Sequence, residues 1–110
     1  MSLPWDTLQS AELKTQLKKH VYMIAKETDL LSRDLDELEY EFKFDIEVYA
    51  YQAIVLSKLD KNLQQAYARL VPDMVSEEDF WRNYFYEIER FLDALGQPSK
   101  ATVKLAPGEA

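Results

Sequence analysis

Between Pro4 and Pro72 the chain contains neither glycine nor proline. Glycine supplies positive φ at turns and proline fixes φ while removing a donor, so their absence denies this stretch the usual residues of tight turns. Sixty-seven residues without either read as helices joined through polar caps. The remaining punctuation, Gly96, Pro98, Pro107 and Gly108, gathers near the end of the chain. A length of 110 residues sets one domain, and 47% hydrophobic residues are enough for it to bury a core.

The hydrophobic spacing divides the helices. A first helix is predicted from about Thr7 to Thr28, with Leu13, Leu17, Val21 and Ile24 on one face. The same spacing continues through Leu31, Leu35, Leu38 and Phe42, so one long helix or a coiled-coil seam over 13–42 is an alternative. Thr28, Asp29, Ser32 and Asp34 compete for backbone groups and favour a break there. Asp45 opens the next helix, to about Leu59. With Ile46, Val48, Ala50, Ala53, Ile54, Val55 and Leu56 it is apolar nearly all round, which predicts a helix buried in the middle of a bundle. Asp60 caps a short helix that Pro72 stops. "FKFDI" alternates briefly, but it is short and no similar segment offers itself as a partner.

The last helix is the best marked. Ser76 and Asp79 read as a capping box, and Glu77, Glu78 and Asp79 place negative charge in the first turn. Glu78 and Arg82 stand four apart in the favourable order. Phe80, Tyr84, Ile88, Phe91 and Leu95 form one stripe; Trp81, Phe85 and Leu92 broaden it. Gly96 and Pro98 end the helix, and residues 97–110, without periodicity, are expected to be disordered. The expected organisation is an N-terminal amphipathic helix region over 1–32, a helical core over 33–95 and a tail over 96–110.

"LVPDMVSEEDFWRNYFYEI", residues 70–88, resembles the signature of the BSD domain, a module named for basal transcription factors, synapse-associated proteins and DOS2-like proteins. The resemblance rests on the adjacent Phe80 and Trp81, on Leu70-Val71-Pro72 before them and Tyr84-Phe85 after them. Upstream, "FKFD" is followed by Ala53, Leu56, Asp60 and Leu63; the likeness covers residues 42–92 well. It is nearer the synapse-associated and DOS2-like branch than the transcription-factor branch. The resemblance implies an all-α fold: a compact three-helix core, here preceded by an extra amphipathic helix, used for protein interaction and without enzymatic activity. It also implies that the Phe-Trp pair belongs largely to the core. Tyr67 departs from the pattern, standing where a basic residue is expected.

Charge and chemistry narrow the function classes. The formal net charge is −7, which argues against a dedicated nucleic-acid module; Lys14, Lys18 and Lys19 are the best local basic patch for that alternative. There is no cysteine, so disulfides and thiolate chemistry are absent. No apolar run approaches the roughly 20 residues of a membrane span, and no leader pattern opens the chain, giving an intracellular expectation, cytoplasmic or nuclear. The single histidine, His20, lies beside lysines and lacks a nucleophile partner; it reads as an exposed or half-buried helix residue. Glu37 and Glu41 are spaced to share a cation but read as solvated carboxylates, and two distant glycines make no phosphate loop. No catalytic, metal or cofactor residue is therefore expected. The expected partner is a protein, meeting either the acidic stretch with Asp34, Asp36 and Glu37 or the basic residues Lys58, Lys61 and Arg69. The chain is expected to be a monomer, or to self-associate weakly through the N-terminal helix region.

Overall fold

The structure is a computed structural model and describes residues 3–33, 40–96 and 101–103. Five helices are described: α1 (Ala11–Ile24), α2 (Thr28–Ser32), α3 (Ile46–Leu59), α4 (Lys61–Leu70) and α5 (Glu77–Ala94). Two three-residue strands, β1 (Tyr40–Phe42) and β2 (Ala101–Val103), complete the described elements.

The caps explain where the helices begin. Ser10 Oγ accepts the Leu13 N–H at 3.3 Å and starts α1. Asp45 Oδ1 accepts the Glu47 N–H at 3.0 Å and starts α3. Buried Asp60 ends α3 and starts α4, its Oδ1 accepting from the N–H groups of Asn62 and Leu63 at 3.0 and 3.3 Å. Ser76 Oγ takes the Asp79 N–H at 3.1 Å at the head of α5. Each side chain satisfies a donor that the first helical turn leaves without a partner. Arg82 pairs with Asp79 at 2.5 Å, three residues back, and not through the expected Glu78 spacing. Gly96 ends α5 with a φ of +76°, the left-handed conformation that suits glycine.

The single long helix over 7–42 does not form. α1 stops at Ile24, and Lys26 and Glu27 turn the chain by hydrogen bonds to the Met23 and Ile24 carbonyls. Thr28 then opens α2, whose Leu31 is fully buried. Of the residues on the 13–42 seam, Leu17, Val21, Ile24 and Leu31 lie in the chain's own core, while Leu35 and Leu38 lie outside the described residues.

α5, not α3, is the central helix. Phe80, Tyr84, Phe85 and Ile88 are buried as its stripes require, and so are Asn83, Tyr86 and Glu87, so its burial extends well round the axis. Its rings meet near right angles or tilted: Phe80 with Trp81 at 5.1 Å and Trp81 with Tyr84 at 5.7 Å edge to face, Phe85 with Tyr49 at 4.6 Å tilted by 31°. α1, α2 and α3 each pack against α5, Tyr67 of α4 meets its first turn, and α2 also touches α1 and α4. The expectation of a buried α3 is corrected. It buries only Tyr49, Ala53 and Leu56, with Asp60 beyond them, and leaves Val48 and Ile54 more than half exposed. Large aromatic side chains remove far more surface per position than the Val, Ile and Ala of α3, so the aromatic helix takes the centre.

The expected disorder of the tail is corrected over one segment. Ala101–Val103 pair antiparallel with Tyr40–Phe42, in the register Tyr40↔Val103, Glu41↔Thr102 and Phe42↔Ala101. Of "FKFDI" only Phe42 lies in this strand; Asp45 caps α3 and Ile46 begins it. The other tail residues between 97 and 110 lie outside the described residues.

Candidate docking surface

The outward side of α3 is the unusual surface of this fold. Tyr51 and Ile54 are exposed along it, with Ile46 on the groove flank and Val48 and Leu59 on the opposite one. Scattered apolar residues are ordinary on any surface, but several on one helix form a patch. Beside them a groove of about 510 Å³ runs between α3, α4 and the start of α5. Ala50, Ala53 and Ile54 line its α3 side and Trp81 reaches it from α5. Lys58 and Gln64 stand where α3 meets α4; Gln64 Nε2 donates to the Ser57 carbonyl and ties the two helices there. Tyr67 forms the α4 wall, and its hydroxyl donates to Glu77 Oε2. That hydrogen bond, with some desolvation, holds the phenol above its ordinary pKa. The groove is mostly apolar and carries Lys58 and Glu77 among its lining residues, a composition suited to gripping an amphipathic protein segment.

The sequence-selected residues divide between interior and surface. Leu70, Phe80, Trp81, Tyr84 and Phe85 are all buried, Trp81 with 7% exposure, while Pro72 is exposed just after α4. Of the basic candidates, Lys58 joins the groove; Lys61 and Arg69 are exposed at opposite ends of α4. Asp34, Asp36 and Glu37 lie outside the described residues; of the acidic stretch that continues to Glu47, Asp45 and Glu47 are described, at the head of α3. Among the described residues no group of three His, Cys, Asp or Glu side chains is placed to hold a metal ion, and no helix is long and apolar enough to cross a membrane.

A second groove runs beside α1, lined by Gln16, Lys19, His20, Met23, Lys26 and Phe91 among others. His20 stacks on Phe91 at 4.1 Å, with the rings 10° apart. Burial lowers its pKa from 6.5, outweighing the raising effect of Glu87. Lys14 and Lys18 lie elsewhere on α1; Lys18 Nζ sits 5.3 Å from the Trp5 ring.

Sequence reasoning passed over the polar pair Asn83 and Glu87. Asn83 Nδ2 donates to the carbonyls of Leu31 and Arg33 at 2.8 and 2.9 Å, holding the end of α2 on α5. Four residues on, buried Glu87 accepts from Arg33 Nη2 at 2.8 Å, and the Arg33 guanidinium lies 5.6 Å from the Tyr86 ring. The available signal was an amide and a carboxylate four residues apart, flanking the run Tyr84-Phe85-Tyr86.

The BSD domain family model matches residues 41–95, the span of α3, α4 and α5 with the strand before them. The chain is 40% identical over 58 residues to the "Synapse-associated protein of 47 kDa" of Drosophila melanogaster, a match covering 52% of this chain and 10% of that protein. It is 35% identical over 69 residues to "Synapse-associated protein 1" of Mus musculus, covering 63% of this chain and 19% of that protein. The chain thus matches only a tenth to a fifth of the length of these relatives.

Proposed function

The chain belongs to the BSD domain family, and from that premise we propose that it is a non-enzymatic adaptor or scaffold module that docks a protein partner on α3 and the adjoining groove. The observation that carries this reading is the apolar outward face of α3, left uncovered while the family's Phe-Trp pair is buried. The pair acts indirectly: Phe80 and Trp81 fix α5 against α4, and that packing sets the groove's walls. Tyr67, where a basic residue was expected, contributes a phenol tied to Glu77, so the groove offers a ring at a position where the family pattern would offer a cation. The setting is intracellular, cytoplasmic or nuclear, within a signalling or transcription-linked protein.

The test compares proteins recovered by the wild-type chain with those recovered by Ile54→Glu, using Lys19→Glu on the α1 groove as a control. Partners lost with Ile54→Glu and kept by Lys19→Glu support the reading; identical recovery by all three chains sinks it. A second reading, association with nucleic acid or chromatin, draws on Lys19 and Lys26 beside one groove. It stands behind the first because the net charge is −7. It requires duplex binding at low salt that weakens steeply as salt rises, and the same Lys19→Glu variant would reduce it.

A further inference from the structure

Glu47, Tyr51, Ile54 and Lys58 follow one another along α3 at spacings of four, three and four. That step keeps them in one stripe, the seam position of a helix pair. All four are exposed, Tyr51 at 42% and Ile54 at 57%. The stripe points away from Tyr49, Ala53 and Leu56, which face the body of the molecule. Its order is acid, aromatic, aliphatic, base. Laid antiparallel against a second copy, it sets Glu47 opposite Lys58 and Tyr51 opposite Ile54, each twice about a two-fold axis between residues 52 and 53. A parallel pairing would instead set Glu47 against Glu47 and Lys58 against Lys58. The flanking positions, Val48 and Val55 on one side and Ala50 and Ser57 on the other, are small or β-branched and admit a close second helix.

We propose that the outward face of α3 pairs antiparallel with the same face of a second copy of the chain, Tyr51 and Ile54 forming the apolar centre and Glu47–Lys58 ion pairs closing both ends. The inference rests on the protein-docking reading of α3 and names the occupant. A 14-residue helix is about 21 Å long, and a contact of that length falls short of the roughly 800 Å² per partner of a standard stable interface. The dimer is therefore weak and dependent on concentration.

Sedimentation equilibrium of the 110-residue chain over a wide concentration range tests it. The mass of the wild type rises toward two chains. Lys58→Glu or Glu47→Lys places like charges together at both ends and raises the dimer dissociation constant about tenfold or more. Glu47→Lys combined with Lys58→Glu restores opposite charges and recovers most of the association. The substituted positions are exposed, and unchanged helical circular dichroism checks that each variant is folded. A wild type that stays monomeric, or a double variant that associates no better than the single ones, overturns the pairing. If partners sensitive to Ile54→Glu are still recovered in that case, the self-pairing falls and the adaptor reading stands.

Discussion

At the scale of single residues, the polar groups inside the aromatic core fix its geometry. Asn83 pairs two backbone carbonyls at the end of α2 that packing would otherwise leave without donors. Asn83→Ala should cost about 2–3 kcal/mol, since it strands buried acceptors as well as removing hydrogen bonds; chemical denaturation measures it. A cost within experimental error would show that water replaces the amide without penalty. His20 supplies a pH signature. Its folded pKa lies below the unfolded value of 6.5, so between the two the unfolded chain holds more protons and stability rises with pH. As pH falls through 6.5 the folded state loses stability, and the slope flattens below the folded pKa. His20→Gln should remove that part of the pH dependence in thermal melts run from neutral to mildly acidic pH.

The elements differ in what holds them. α5 depends on its rings, and Phe80→Ala, which empties a fully buried site, should cost about 3–5 kcal/mol. Its cap is a smaller contribution: Ser76→Ala removes the hydroxyl that accepts from Asp79 and should cost about 1 kcal/mol. α3 behaves in the opposite way. Ile54→Gln should change stability by no more than about 0.5 kcal/mol, because the side chain is more than half in water. Denaturation of these three variants separates a core helix from a docking helix, and a large loss at Ile54 would return α3 to the interior. The sequence marked the caps at Asp45, Asp60 and Ser76 because capping is local chemistry. It misjudged α3 because hydrophobicity around a helix reports what could be buried, and neighbours decide what is.

At the scale of the molecule, the N-terminal helices and the family-matched segment share one core. Trp5, Leu17, Val21 and Leu31 belong to the same buried cluster as Phe80 and Tyr84. Unfolding should therefore be a single transition. In Trp81→Phe, Trp5 becomes the only indole; its fluorescence transition should coincide with the loss of helical circular dichroism. A Trp5 transition at lower denaturant would instead show that α1 and α2 come away first.

The helical class, the caps at Asp45, Asp60 and Ser76 and the aromatic stripe of α5 were determined by the sequence alone, because cap hydrogen bonds and helical periodicity act over three or four residues; the start of α1, expected near Thr7 and found after Ser10, was not. The tertiary structure decided which helix is central, where α1 stops, that Ala101–Val103 pair with Tyr40–Phe42, and that Asn83 and Glu87 hold α2. Those outcomes depend on competition for a limited interior among segments far apart in the chain. Large rings win that competition over Val, Ile and Ala, and α3 is left with an apolar face turned to solvent.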